Sequence, residues 1–284
     1  VEDNDEVNMG TDFVYQWLNC DEHAATDIKY SLRSLEQNWL GNLRVTVVGD
    51  RPKDFGQMFH IPHQPVQTPH QQRALDAVRK MEAVLGARHI QERFVMMHDD
   101  HYLLRPMDEM YVMRRRAVSE IDPLWEPTDA NRKHKRLLYE TAKALREKGF
   151  TRVWNYETHI PRMYEKRKMA EVIDIYRPAG NRLLLATLYY NHHYRHQEPE
   201  LMHPYDDCKV AFFGSREKHT VPPPLTSDTD AAMAYYAQAL IGKHFMNHNN
   251  RGIADFNLQY LRHSLWPEPS VFEPPPQPTL TIAR

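Results

Sequence analysis

The chain has 284 residues, 41% of them apolar and 26% charged, so it can bury a core and fits one large α/β domain, or one domain with an appendage. A formal net charge of −2 excludes any global demand for a nucleic-acid partner. Two cysteines, Cys20 and Cys208, make neither a metal spacing nor a disulfide framework, no apolar run reaches membrane-span length and no signal peptide is visible; the expectation is a soluble, cytoplasmic protein with no membrane partner.

Residues 1–10 are acidic and polar. Thr11 to Leu18 is aromatic and β-branched and predicts a first strand, followed by the polar loop Asn19 to His23. Asp27 is placed to cap a helix over Ile28–Asn38 with Ile28, Leu32 and Leu35 on one face. Leu43 to Val48 predicts a second strand stopped by Gly49-Asp50-Arg51-Pro52, and Gln57 to Ile61 a short third. A helix over Gln71–Leu85 buries Leu75, Val78, Met81 and Leu85, with Gly86 as its stop.

The next run, Arg93 to His98, is a short apolar strand that ends in Asp99-Asp100-His101 before apolar residues return. Strand–helix–strand–strand–helix–strand with short joints predicts a mostly parallel sheet flanked by helices. Such sheets carry their chemistry just past the carboxyl ends of their strands. Adjacent carboxylates there repel unless a cation holds them, and oxygen ligands beside a histidine suit manganese, with magnesium as the alternative. The loops after the first two strands lie beside this turn, which makes Asn19, Asp21 and Asp50 candidate contacts to a nucleotide base or ribose. The plain alternative is a solvated acidic turn.

In the second half, Met107 to Val118 contains Arg114-Arg115-Arg116. Asp129 is placed to cap a basic helix to Lys148 with Leu138, Ala142 and Leu145 inside and Gly149 as its stop. Residues 131–152 hold eight bases against Glu140 and Glu147, whereas residues 1–30 hold eight acids against Lys29, an asymmetry that suggests a polyanion on one face. Thr151 to Tyr156 predicts a strand ending in Glu157-Thr158-His159, a helix runs near Met163 to Val172, Leu183 to Tyr190 is apolar, and Asp206 to Phe213 predicts one late strand. Thr229–Phe245 and Ile253–Leu265 predict two helices, and the tail from Pro267 is expected to be extended.

Asp12 to Tyr15, the Ile28-Lys29-Tyr30-Ser31-Leu32-Arg33-Ser34-Leu35-Glu36 helix, Val47 to Asp50, His60-Ile61-Pro62 and the Asp99-Asp100 strand end together resemble the GT-A-fold glycosyltransferases common in bacteriophage genomes. That set is similar to the glycosyltransferases associated with TET/JBP oxygenases, including the base J type, and more distantly to Stealth-type sugar-phosphate transferases. The resemblance covers residues 11–190 and implies a GT-A (Rossmann-like) fold. It places a glycosyltransferase core over 11–215, split into a nucleotide-sugar half 11–106 and an acceptor half 107–215; a helical extension over 216–266 and a Pro-rich tail over 267–284 follow. It further implies a UDP-sugar donor and a divalent cation, with Asp99 on the donor's hydroxyls and Asp100 and His101 on the metal. Arg33, Arg51 and Arg73 become candidates at the donor phosphates, and Glu157 or His159 a candidate base. His192, His193 and His203 are candidates for a further metal ligand. The leading acceptor is double-stranded DNA carrying 5-hydroxymethylcytosine or 5-hydroxymethyluracil. It would be gripped by Arg132, Lys133, Lys135, Arg136 and Arg162, with the Arg114–Arg116 run and Lys166–Lys168 adding charge and the segment 189–196 stacking on an extruded base. A Stealth-like transferase acting on a surface glycan, and a non-catalytic nucleotide-sugar or DNA-binding module, are the alternatives.

Overall fold

A computed structural model describes residues 10–18, 24–64, 73–127, 133–203, 207–210, 220–221, 228–248 and 256–274. The first half forms β1 (Thr11–Trp17), α1 (Ala24–Asn38), β2 (Leu43–Gly49), β3 (Phe59–Pro62), α2 (Arg73–Gly86), β4 (Arg93–His98) and β5 (His101–Leu103). Then come α3 (Glu109–Met113), β6 (Arg116–Ala117), β7 (Ser119–Glu120), α4 (Lys133–Glu147), β8 (Trp154–Asn155), β9 (Arg162–Glu165), α5 (Lys166–Tyr176), α6 (Pro178–Asn181) and α7 (Leu185–His193). The last elements are β10 (Glu200–Leu201), β11 (Asp207–Val210), β12 (Thr220–Val221), α8 (Thr229–Leu240), β13 (Phe245–His248) and α9 (Phe256–Leu265).

The central sheet has the order β3-β2-β1-β4-β9. Its first four strands are parallel, and β9 runs antiparallel along β4. Side chains alternate cleanly across it. Phe13, Tyr15, Trp17, Val45, Val47, Val95 and Met97 meet Ile28, Leu32 and Leu35 of α1 on one face. Val14, Val48, Phe94 and Met96 meet Met81 and Val84 of α2 on the other, continuous with Leu138, Ala142 and Leu145 of α4. Two helices on opposite faces follow from the order of the strands. The chain steps outward from β1 to β2 and β3, then crosses back through α2 to β4 on β1's other side. This is an α/β protein with a mostly parallel sheet flanked by helices, an arrangement compatible with a Rossmann-like fold.

A second sheet, β12-β11-β13-β5, takes β5 from the first half and pairs it antiparallel with β13. The segment 216–266 is therefore not helical throughout: Phe245, expected to end a helix, and Met246 to His248, expected to lie between two helices, form a strand paired with β5 of the first half. Nor does the tail hang loose from Pro267. Trp266 and Phe272 are buried, and Gly56 N–H donates to the Phe272 carbonyl. Three further expectations are corrected. Arg162–Glu165 is a strand rather than part of a helix, because its backbone closes the open edge of β4. The strand expected over Thr151–Tyr156 shrinks to β8, which pairs with β7 outside the central sheet. Asp27 does not cap α1; the helix starts at Ala24 and Asp27 lies buried in its first turn.

Gly49 ends β2 with φ +128°, and a Cβ there would stand 1.9 Å from the Trp17 carbonyl oxygen. Only glycine fits, since both the backbone angle and the contact exclude a side chain. Gly49→Ala is expected to lower unfolding free energy by at least about 2 kcal/mol in urea titration.

Candidate active site at the switch point

The strand order reverses beside β1, with β2 on one side and β4 on the other, the position at which open sheets of this kind form a crevice beyond their carboxyl ends. The Asp99-Asp100 turn stands at the end of β4 there. It joins the parallel sheet to β5 of the second sheet. α1 fixes this joint from one face: Ser31 Oγ donates to the His101 carbonyl at 2.5 Å, Leu103 N–H donates to Ser34 Oγ at 3.1 Å, and Asn38 Nδ2 donates to the Leu103 carbonyl at 2.9 Å. Ser31, Ser34 and Asn38 share one helical face. Tyr15 Oη, on the last turns of β1, lies 3.0 Å from Ser31 Oγ. The Tyr-Ser-Leu-Arg-Ser-Leu-Glu helix thus serves as a clamp that holds the strand after the acidic turn.

Both carboxylates are half-buried. Removal from water, then Asp100 and then Asp27, push the Asp99 carboxyl up to about 8. His98 is pushed down to about 4, chiefly by burial and then by Arg162 and Lys80. His101, only 2% exposed, is held well below the usual imidazole range by burial and by His98. The two rings meet edge-on at 4.9 Å, and His101 Nε2 is 3.9 Å from Asp100 Oδ1. His101 Nδ1 is buried with no hydrogen-bond partner among the described residues. The turn therefore presents two crowded carboxylates backed by neutral imidazoles. A carboxyl group that burial and a neighbouring carboxylate keep protonated near neutrality, next to an imidazole nitrogen, is a donor set that a divalent cation of the manganese type satisfies.

Other expected residues divide. Asn19, Asp21 and Arg132 lie outside the described residues, as do the side chains of Arg73 and Lys133. Asp50 stands directly after β2, at the carboxyl end of the sheet, its N–H donating to the Trp17 carbonyl at 3.3 Å. Arg33 is committed elsewhere. Its Nε and Nη2 grip Glu273 at 2.5 and 2.8 Å, and its Nη1 donates to the Trp266 and Pro267 carbonyls, so it ties down the tail and does not face a phosphate. Glu273→Ala is expected to free the segment after Trp266 and to cost about 1.5–3 kcal/mol, measured as a shift in the urea midpoint and as earlier proteolysis of the tail.

Glu157 is a helix cap. Its Oε1 accepts from Thr187 N–H at 3.1 Å and Thr187 Oγ at 2.9 Å in the first turn of α7. One carboxylate oxygen is thus engaged by an otherwise unpaired N–H and a hydroxyl of the helix start. His159 is exposed, its carbonyl accepts from Asn247 Nδ2 at 3.1 Å, and its charge acts on His101, which brings it to the acidic turn. Arg162 donates to Thr158 and lies on β9 opposite Met96, inside the site's wall and not on an outer nucleic-acid face. Of the other expected phosphate contacts, Lys135 and Arg136 are exposed on α4. In the arginine run Arg116 is 3% exposed, whereas Arg114 is exposed and pairs with Glu200 at 2.5 Å. Tyr189 and Tyr190 are core residues, not stacking platforms.

Sequence reasoning overlooked Lys80. It is 4% exposed on α2, 3.2 Å from Asp76, and its charge acts on both Asp99 and His98. The Asp76–Lys80 spacing of four was the available signal, but that spacing usually marks a solvent-facing pair. Two concavities bordered by described residues lie away from the turn. One, of about 360 Å³, is between α4 and the end of α5, and the other, of about 750 Å³, is between the 53–57 loop and Val271–Pro274. The acidic turn is the stronger candidate, because it combines two adjacent carboxylates with two histidines at the carboxyl end of a central strand.

The sequence matches no protein-family model and no curated protein. Fold and site define the class: an α/β protein with a mostly parallel sheet, compatible with a Rossmann-like fold, and a paired-carboxylate turn at the end of β4. Among the described residues no helix is long and apolar enough to cross a membrane.

Proposed function

We propose that this chain is a GT-A-type, metal-dependent glycosyltransferase that uses a UDP-sugar and acts on a 5-hydroxymethylpyrimidine in DNA. The observation that carries the reading is the position of Asp99-Asp100, at the carboxyl end of the strand beside the switch point and at the junction of the two sheets. In the donor half, Asp50 would contact the ribose and Asp99 would accept from donor hydroxyls. Asp100, with His101 behind it, is the set that would hold manganese or magnesium, which when bound neutralises charge building on the departing diphosphate. Lys80 adds a buried positive charge near the same carboxylates.

Transfer breaks the bond from the sugar's anomeric carbon to the diphosphate oxygen and forms one to the acceptor's hydroxymethyl oxygen. The acceptor proton must leave. With Glu157 occupied at the start of α7, His159 is the group near the turn that can take it. His159→Gln is expected to lower kcat roughly 10²-fold with little change in donor KM, read by single-turnover product formation. For the acceptor, the exposed Lys135 and Arg136 of α4 support a polyanion. Charge reversal at both is expected to weaken duplex binding and to flatten its salt dependence by roughly two counterions.

The test is nucleoside mass spectrometry of hydroxymethylated duplex DNA incubated with a panel of UDP-sugars and manganese. A hexose mass gain supports the reading. Donor hydrolysis without a DNA product moves the acceptor to a glycan, and failure to bind UDP with manganese leaves neither transferase standing.

A further inference from the structure

His192 and His193 close the last turn of α7, and that turn packs on α5 rather than at the acidic turn. There they meet Glu171. One ligand atom from each of the three residues lies within 4.8 Å of the others. His192 Nε2 is already 3.4 Å from Glu171 Oε1, close to the edge of about 3.3 Å that a tetrahedral ion with bonds of ~2.0–2.1 Å requires. The far nitrogens are engaged. His193 Nε2 is 2.8 Å from the Lys168 carbonyl and must carry its hydrogen to that oxygen, so Nδ1 offers a lone pair. His192 Nδ1 meets Tyr176 Oη at 3.1 Å, which leaves Nε2 directed at Glu171. Backbone or hydroxyl groups that hold the distal nitrogen are the usual orienting shell of a metal-bound imidazole. Lys168, whose charge acts on His193, is paired with Glu165 at 2.6 Å.

We infer that Glu171, His192 and His193 form a second, separate site for a borderline divalent cation of the zinc type, two imidazole nitrogens and one carboxylate tying α5 to α7. The donor set separates it from the carboxylate-rich turn: nitrogen-rich sites take zinc, nickel or copper, oxygen-rich ones manganese or magnesium. Open positions remain for water or for a group supplied by a bound molecule. The inference does not depend on the proposed transferase activity.

The test is zinc titration of the full chain against a chromophoric chelator, with every protein carrying Asp100→Ala so that the β4 turn contributes nothing. One zinc per chain is expected. Glu171→Gln should weaken it at least tenfold, His192→Gln with His193→Gln should remove it, and His134→Gln, an exposed histidine on α4, should leave it unchanged. Cobalt substitution should give visible d–d absorption that Glu171→Gln diminishes. Glu171 is 54% exposed, so that variant decides the matter even if the double histidine variant misfolds. No zinc bound, or equal affinity in Glu171→Gln and His134→Gln, overturns the inference; in the second case the ion rests on histidines elsewhere.

Discussion

Asp100→Ala is expected to reduce sugar transfer by roughly 10²–10³-fold or more while the chain stays folded, because the turn lies outside the buried core and supplies charge where the diphosphate departs. The paired measurement is Asp99→Asn. Asp99 is half-buried and crowded by Asp100 and Asp27, which is why its carboxyl is pushed up to about 8. The folded protein holds that proton across a window from about 4 to 8 in which the unfolded chain has lost it, so the wild type loses stability as pH rises through the window. Asparagine does not titrate. Asp99→Asn should therefore stabilise the chain, more at pH 9 than at pH 5 by thermal unfolding, and at the same time lose activity. A residue that costs stability and is needed for turnover is in the site; if both variants keep full activity, the turn is only a solvated acidic loop and the proposed chemistry falls with it.

Arg262→Met should have the largest effect on stability. Arg262 is fully buried in α9, where Nη1 reaches Asp27 Oδ1 at 2.5 Å, Tyr102 Oη at 2.9 Å and His248 Nε2 at 3.3 Å. Tyr102 in turn stacks on Trp266 at 5.3 Å. Removing the arginine leaves the Asp27 carboxylate buried with only His248, 3.4 Å away, to offset it. Breaking one side of such a pair costs about 3–5 kcal/mol, a large share of a typical total of about 5–15 kcal/mol. Urea unfolding should show that loss, and limited proteolysis should show α9 released first. Asp27→Leu combined with Arg262→Met should regain most of it, since the cost is the uncompensated charge and not the lost pair. An additive double variant would mean that packing of the arginine stem dominates. The pH dependence has a definite sign. Burial raises the Asp27 carboxyl, but His248 and Arg262 outweigh it and hold it below its ordinary value. The pair's contribution is therefore complete above about pH 4 and is lost as pH falls through the lower folded value. Asp27→Leu/Arg262→Met should lack that acid step.

Much of the first half was legible because its signals are local. Alternation in Phe13–Trp17, Val45–Val48 and Phe94–Met97 is period-two burial, and Leu32 and Leu35 share a face because of helical geometry. The acidic turn was readable for the same reason: a buried strand that stops in two carboxylates marks a strand end. Where a residue's role depends on a distant partner, local pattern misled. Asp27 has the form of a cap, but its partner lies 235 residues away. Glu157 has the form of a base at a strand end, but Thr187 comes 30 residues later and takes it as a cap. Phe245 has the form of the last residue of an apolar helix, yet the open edge of β5 makes it the first residue of a strand. Arg33 has the form of a phosphate ligand until the tail folds back onto it.

The sequence by itself determined which faces are apolar, where strands stop and which charged residues cluster, because those properties are set within a few residues by side-chain period and backbone propensity. Only the tertiary structure decided which charges are buried, neutralised or left beside the crevice. That choice rests on desolvation and pairing across contacts that chain closure brings together, and no short window of sequence contains both members of such a contact.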